Sequence, residues 1–196
     1  MGEQDVQTPG LLVILSGPSG VGKSTITHAI CEQLGAVLSV SMTTRPVTPQ
    51  DVEGEDYFFV SEREFKDQVK LGQMLEYAQV FDNFYGTPRE PVEDALAQGA
   101  VVMLEIDVQG AAQVKRNLPG AFAIFIEPPS ERVLLDRLRH RQRENEATIQ
   151  KRFSRARHEI AEARSLGIYD RTIVNDDLPR AIHEAVGVIH EQLVGG

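Results

Sequence analysis

The 196 residues suffice for one domain with a sizeable core, and 41% hydrophobic against 25% charged residues is the balance of a folded globular chain. A net charge of −9 speaks against non-specific nucleic-acid binding, and with no apolar run near ~18 residues no membrane span is expected. A single cysteine, Cys31, rules out an intrachain disulfide, and residues 1–9 lack a signal peptide's apolar core, so a cytoplasmic location is expected.

The first informative stretch is Gly17-Pro18-Ser19-Gly20-Val21-Gly22-Lys23-Ser24. It follows the apolar run Leu11-Leu12-Val13-Ile14-Leu15 and leads, from Thr25, into a helical pattern over 25–34 that Gly35 can stop. Strand, glycine-rich turn and helix around G-x-x-x-x-G-K-[ST] is the setting of a phosphate-binding loop. Glycines let backbone N–H groups curl around a phosphate, and the helix directs its positive end at it. Lys23 is expected to reach the β and γ phosphates of a nucleoside triphosphate, and the Ser24 hydroxyl to bind Mg²⁺.

Residues 37–41 read as a short strand, and 43–51, with two prolines and few apolar residues, as a loop. Residues 57–60 read as a strand. Ser61-Glu62-Arg63-Glu64 is a capping box for a helix that Gly72 stops. A strand is expected over 74–80, with a turn before Phe84-Tyr85-Gly86. Thr87-Pro88-Arg89-Glu90 reads as a second capping box, with proline at the first helical position, for a helix ending at Gly99.

Residues 101–107 form a buried strand ending in an acid, followed by a helix over 108–117 and a strand over 122–126 that Pro128-Pro129 stops. The segment 131–159 carries nine of the twenty Lys and Arg against five acids, and its helical pattern breaks near 143–146. In an acidic chain such a segment points to an anion gripped locally. A last strand at 171–174, a turn at Asn175-Asp176-Asp177 and an amphipathic helix with Ile182, Val186, Ile189 and Leu193 at helical spacing complete the chain. Strands alternating with helices predict a three-layer α/β fold on a parallel sheet, interrupted by a β-rich insertion over about 45–99.

Several blocks together resemble the guanylate kinase family. They are Ser39-Val40-Ser41-Met42-Thr43-Thr44-Arg45-Pro46, Gly54-Glu55-Asp56-Tyr57-Phe58-Phe59-Val60-Ser61, Leu104-Glu105-Ile106-Asp107-Val108-Gln109-Gly110, Pro128-Pro129-Ser130 and Ile173-Val174-Asn175-Asp176-Asp177. With the phosphate loop they run in family order from about residue 11 to 193. The resemblance implies a P-loop kinase core (10–44, 100–130 and 160–196), a GMP-binding lobe (45–99) and a helical lid (131–159). It implies ATP-dependent phosphorylation of GMP to GDP, with Mg²⁺, by a monomer or homodimer whose partners are the two nucleotides.

By the same resemblance Ser41, Glu76, Thr87 and Asp107 would contact the guanine, and Arg45, Asp51, Tyr57 and Tyr85 would serve the GMP phosphate. The chemistry suits Glu76, because guanine offers N1–H and an exocyclic amine side by side and one carboxylate accepts both. Asn175 and Asp176 would lie near the adenine or its ribose, or serve the turn itself. Arg137, Arg141 and Arg152 match the lid arginines, which with Lys23 and Arg45 would neutralise the transferring phosphoryl group. Arg139, Arg143, Arg155 and Arg157 read as a solvated charged face.

The chain departs from the family pattern in three places. Thr48 stands where a second arginine is usual and Asp51 where glutamate is usual. The lid has Arg141-Gln142-Arg143 in place of Arg-Gly-Thr. Thr48 would cost a charge-assisted phosphate contact worth roughly 1.5–3 kcal/mol, for which Arg143 is a candidate substitute. Two further readings follow: a related kinase with another phosphorylated acceptor, and a non-catalytic module that binds phosphoproteins. Glu76 and Thr87 speak against the first, Lys23 and Ser24 against the second.

Overall fold

The computed structural model describes residues 10–140 and 145–195. Five strands form a parallel sheet in the order β2-β7-β1-β8-β9: β1 (Leu11–Ser16), β2 (Val37–Leu38), β7 (Val101–Glu105), β8 (Phe122–Glu127) and β9 (Arg171–Val174). Buried on both faces, β1, β7 and β8 are near-continuous apolar runs, as parallel strands under two helical layers must be.

Alternation sorts their side chains into two cores. Val13, Leu15, Met103, Ile124, Ile126 and Ile173 pack with Ile26 and Ile30 of α1 (Lys23–Leu34) and Ala181, Ala185 and Ile189 of α7 (Leu178–Gly195). Leu12, Ile14, Val102, Leu104 and Ala123 face Val92 of α3 (Arg89–Ala97) and Ala111 and Val114 of α4 (Val108–Asn117). These are the three expected layers. On α7 the most buried line is Ala181, Ala185 and Ile189, whereas Ile182, Val186 and Leu193 are only partly covered. Small residues on that line let α7 approach closely.

A second, mixed sheet has the order β4-β3-β6-β5, from β3 (Ser41–Thr43), β4 (Tyr57–Phe59), β5 (Met74–Val80) and β6 (Asn83–Pro88). The strand expected over 37–41 is therefore two strands. Val37 and Leu38 pair with β7, then the chain crosses over so that Ser41 opens the other sheet. By sheet membership the insertion spans 41–88, while α3 packs on β7 of the parallel sheet, in the core that holds Leu12 and Val102.

The Ser61 capping box forms at α2 (Glu62–Lys70): the Ser61 hydroxyl accepts from Glu64 N–H and the Glu64 carboxylate accepts from Ser61 N–H. The second box does not form. Pro88 is the N-cap of α3 and makes no side-chain cap bond, while Thr87 stays in β6 with its hydroxyl turned inward to Glu76. A buried carboxylate outcompetes a surface helix end for that hydroxyl.

The basic segment folds as α5 (Glu131–His140) and α6 (Glu146–Leu166), packed together through Leu134, Leu138, Ile149 and Ala156. Asn145 caps α6 through Thr148 N–H at 2.9 Å. Arg141 and Arg143 lie outside the described residues. Cys31 packs half-buried against the α1 core, where burial pushes its thiol up. Among the described residues no helix is long and apolar enough to cross a membrane.

Candidate active site

The loop 17–22 turns sharply between β1 and α1, and its backbone demands glycine. Gly22, the N-cap of α1, has φ 100°, and a Cβ there would stand 2.8 Å from Asn175 Nδ2. At Gly17, with φ 152°, a Cβ would strike the Ile126 carbonyl oxygen at 2.5 Å. No side chain caps α1, so its first N–H groups remain presented to the loop. Helix α1 begins at Lys23, two residues before the expected start, which places Lys23, Ser24 and Thr25 in its first turn. Lys23 Nζ donates to the carbonyls of Gly17 at 2.5 Å and Pro18 at 3.2 Å, setting its charge at the mouth of the loop.

The loop is braced from outside. Val21 is fully buried, and its carbonyl accepts from Asn175 Nδ2 at 2.8 Å. Asn175 is itself buried (3% exposed), and its carbonyl accepts from Arg137 at 2.9 Å. Arg152 of α6 donates to the Ser19 hydroxyl at 2.7 Å. Of the expected lid arginines, Arg152 thus reaches the loop directly and Arg137 reaches it through Asn175. Asp176 pairs with Arg180, which holds its carboxyl below the usual range.

Ser24 has a partner that sequence reasoning missed. Its hydroxyl donates to Glu105 Oε1 at 2.7 Å, joining the first turn of α1 to the end of β7. The strand expected over 101–107 ends at Glu105, with Asp107 passing to the cap of α4, and the β1–β7 pairing, Leu15 opposite Glu105, puts the Glu105 carboxylate beside the loop.

From Glu105 a cavity of about 350 Å³ opens between the two sheets, lined by Leu38, Ser39, Ser41, Glu55, Asp56, Tyr57, Thr87, Leu104, Glu105 and Ile106. Ser41, Tyr57 and Thr87 of the expected acceptor residues therefore share one wall system, and Glu76 is reached through Thr87, whose hydroxyl donates to Glu76 Oε1 at 2.7 Å. Glu76 is 7% exposed. Burial pushes its carboxyl up to about 7; the neighbouring Asp107 adds to the rise and the Thr87 hydrogen bonds oppose it. Asp107 caps α4 by accepting from Gly110 N–H at 2.9 Å. A Cβ on Gly110 would lie 3.1 Å from Glu76 Oε2 and 3.5 Å from Asp107 Oδ1, so the missing side chain lets both carboxylates crowd one spot.

At the other end Arg45 lies over the rings of Tyr57 and Phe59, 5.4 and 5.3 Å from their centroids, and Tyr57 meets Tyr85 edge-on at 5.9 Å. Two parallel hydrogen bonds of 2.9 and 2.8 Å join Arg45 to Asp51, which also accepts from Thr48 N–H at 2.6 Å. Arg45 and the Thr48 N–H together hold the Asp51 carboxyl far below the usual range. Asp51 thus organises the 45–51 loop and aims Arg45. Of the arginines expected on a solvated face, Arg139 and Arg157 pair with Glu146 and Glu131 on the surface. Arg155 pairs with Glu159, yet also reaches Asp107 at 3.6 Å.

A parallel five-stranded core, a phosphate loop opening α1, an inserted mixed sheet and a pair of basic helices define a P-loop kinase fold. The profile of the guanylate kinase family matches residues 10–192. A guanylate kinase of Synechocystis sp. is 42% identical over 98% of this chain and all of that one. Another, of Gloeobacter violaceus, is 46% identical over 93% of this chain and 88% of that one. The crystal structure of guanylate kinase from Anaplasma phagocytophilum superposes with a TM-score of 0.74 at 32% identity, covering 95% of this chain and 88% of that one. The chain belongs to the guanylate kinase family.

Proposed function

We propose that this protein transfers the γ-phosphoryl group of ATP to the phosphate of GMP, giving ADP and GDP. The observation that carries the reading is the buried Glu76 carboxylate, paired with Thr87 on the wall of a cleft that also includes Glu105, the partner of Ser24. An ionised carboxylate accepts from guanine N1–H and the exocyclic amine together, which adenine, cytosine and uracil cannot offer in that arrangement. Ser41 and Asp107 add polar groups to the same end. Tyr57, Tyr85 and the aimed guanidinium of Arg45 provide donors for the GMP phosphate.

On the donor side the backbone N–H groups of 17–24 and Lys23 take the phosphates of ATP, with Thr25 in the same first turn. Asn175 holds the loop in shape, and the neighbouring Asp176 is assigned to the nucleoside by the family pattern alone, a turn role being the alternative. Arg137 and Arg152 already contact this region and would neutralise charge as the phosphoryl group passes. Arg141 is assigned the same role by the family pattern alone. The Ser24 hydroxyl and Glu105 carboxylate are oxygen donors fit for Mg²⁺, a hard cation that usually combines one or two protein ligands with phosphate oxygens and water. Held there, Mg²⁺ would supply positive charge that offsets the negative charge of the phosphates. In this division residues 131–159 act as the lid and the inserted sheet as the GMP lobe.

A coupled assay with ATP and GMP, AMP, CMP or UMP tests the proposal. GMP should be the preferred acceptor by ~10²-fold or more. Equal turnover of AMP or UMP would overturn the guanine assignment, and nucleotide binding without turnover would favour the phosphoprotein-binding module.

A further inference from the structure

Strand β5, which carries Glu76, is the outer strand of the second sheet, so one of its edges has no neighbouring strand. Helix α4 fills that place with side chains. Gln113 Nε2 donates to the Tyr77 carbonyl at 3.0 Å, and Gln113 Oε1 accepts from Tyr77 N–H at 3.2 Å. The primary amide thereby pairs with the strand as a peptide group would. One turn on, Asn117 Nδ2 donates to the Leu75 carbonyl at 2.7 Å. Leu75 and Tyr77 are the two residues flanking Glu76.

Glu76 itself pairs across the sheet with Thr87, next to a register irregularity between Met74 and Glu76. A buried carboxylate gains by moving toward water, and a strand with a free, irregular edge has little to prevent it. The face of α4 that prevents it also fixes the rest of the pocket. Asp107 is the N-cap of this helix, and Gly110, three residues before Gln113, is where Glu76 Oε2 comes within 3.1 Å of an added Cβ.

We propose that Gln113 and Asn117 are positioning residues for guanine recognition, clamping the backbone on either side of Glu76 so that its carboxylate stays aligned with Asp107. The inference rests on the proposed phosphorylation of GMP. The two clamps act on the base-reading end only, since Arg45, Tyr57 and Lys23 stand on other elements. Removing Gln113 therefore relaxes the carboxylate without disturbing either phosphate site.

The test uses GMP and IMP as paired acceptors, because hypoxanthine keeps N1–H but lacks the exocyclic amine. Wild-type protein should prefer GMP. If IMP is used equally well, the exocyclic amine is not read here and this inference falls; if neither GMP nor IMP is phosphorylated, the proposed function falls. Given that preference, Gln113→Ala should raise KM for GMP by ~10-fold, leave KM for ATP unchanged, and cut the GMP-to-IMP ratio of kcat/KM by a similar factor. Asn117→Ala should act in the same direction more weakly. Gln113→Glu, equal in shape, keeps the acceptor for Tyr77 N–H and loses the donor, so it should fall between. It also serves if the alanine variant does not fold. Arg116→Ala, on the same helix with its guanidinium on the Ala112 carbonyl, should match wild type. A GMP-to-IMP ratio unchanged in both Gln113→Glu and Asn117→Ala would overturn the proposal, whatever happens to thermal stability.

Discussion

The donor and acceptor halves of the cleft are built on opposite plans. The proposed donor half is eight consecutive residues that would bind largely through backbone N–H, held from outside by Asn175, Arg137 and Arg152. The proposed acceptor half collects Ser41, Glu76, Thr87 and Asp107 from three strands and a helix cap, and it would read with side chains. A phosphate is the same in every nucleotide, so a backbone cradle serves. A base must be distinguished, and that takes a desolvated carboxylate whose burial is costly in the absence of its ligand. The donor half should therefore depend chiefly on its glycines, Lys23 and Ser24, whereas the acceptor half should trade stability against specificity.

The largest effect should come from Lys23→Ala. It removes the charge at the mouth of the phosphate loop and no core contact, so kcat should drop by ~10³-fold while the melting temperature stays close to wild type. Near-normal turnover in a rapid-mixing assay would refute the phosphate-loop role. Glu76→Gln comes next. The amide turns an NH₂ toward a guanine donor, and kcat/KM for GMP should fall by ~10²-fold with the ATP constant unchanged. A GMP constant within about two-fold of wild type would move base recognition elsewhere.

Thr48→Arg probes the phosphate end of the acceptor half. Thr48 is exposed beside the Arg45–Asp51 pair, and an arginine there should lower KM for GMP about ten-fold if ~1.4 kcal/mol of charge-assisted bonding is gained. A rise in kcat at fixed KM would place its contact in the transition state, and no change in either constant would detach this loop from the phosphate.

The smallest effects are the pH signatures of Glu76. Its carboxyl is raised to about 7, and guanine needs the ionised form, so kcat/KM for GMP should climb as pH rises through about 7 and level off above it. For stability the sign is the reverse. Between the ordinary carboxylate range and about 7 the folded protein holds the proton more tightly than the unfolded chain, so stability is lost as pH rises through that window. Glu76→Gln should accordingly melt a few degrees higher than wild type at pH 8, with a smaller gain at pH 5. Equal shifts at both values, measured by calorimetry, would mean that the carboxylate is not strained in the free protein.

Gly17 to Ser24 could be read as a phosphate loop from the chain alone because everything it needs is local. The glycines sit where φ is positive or a Cβ would clash, and the helix that completes the site starts within the same eight residues. The Ser61 capping box and the alternation of apolar strands with helices were legible for the same reason, since each is a short-range pattern. Ser41, Glu76, Thr87 and Asp107 entered through family resemblance, because no spacing in the chain relates them. Tertiary structure alone decided the rest. It split residues 37–41 between two sheets, and it took Thr87 from a helix cap to a buried carboxylate. It also set Glu105 against Ser24, and Gln113 and Asn117 along β5. In each case a polar group was buried or a strand edge left open by packing between distant segments. The partner that satisfies it is whichever side chain the fold brings near, and no local pattern in the chain encodes that.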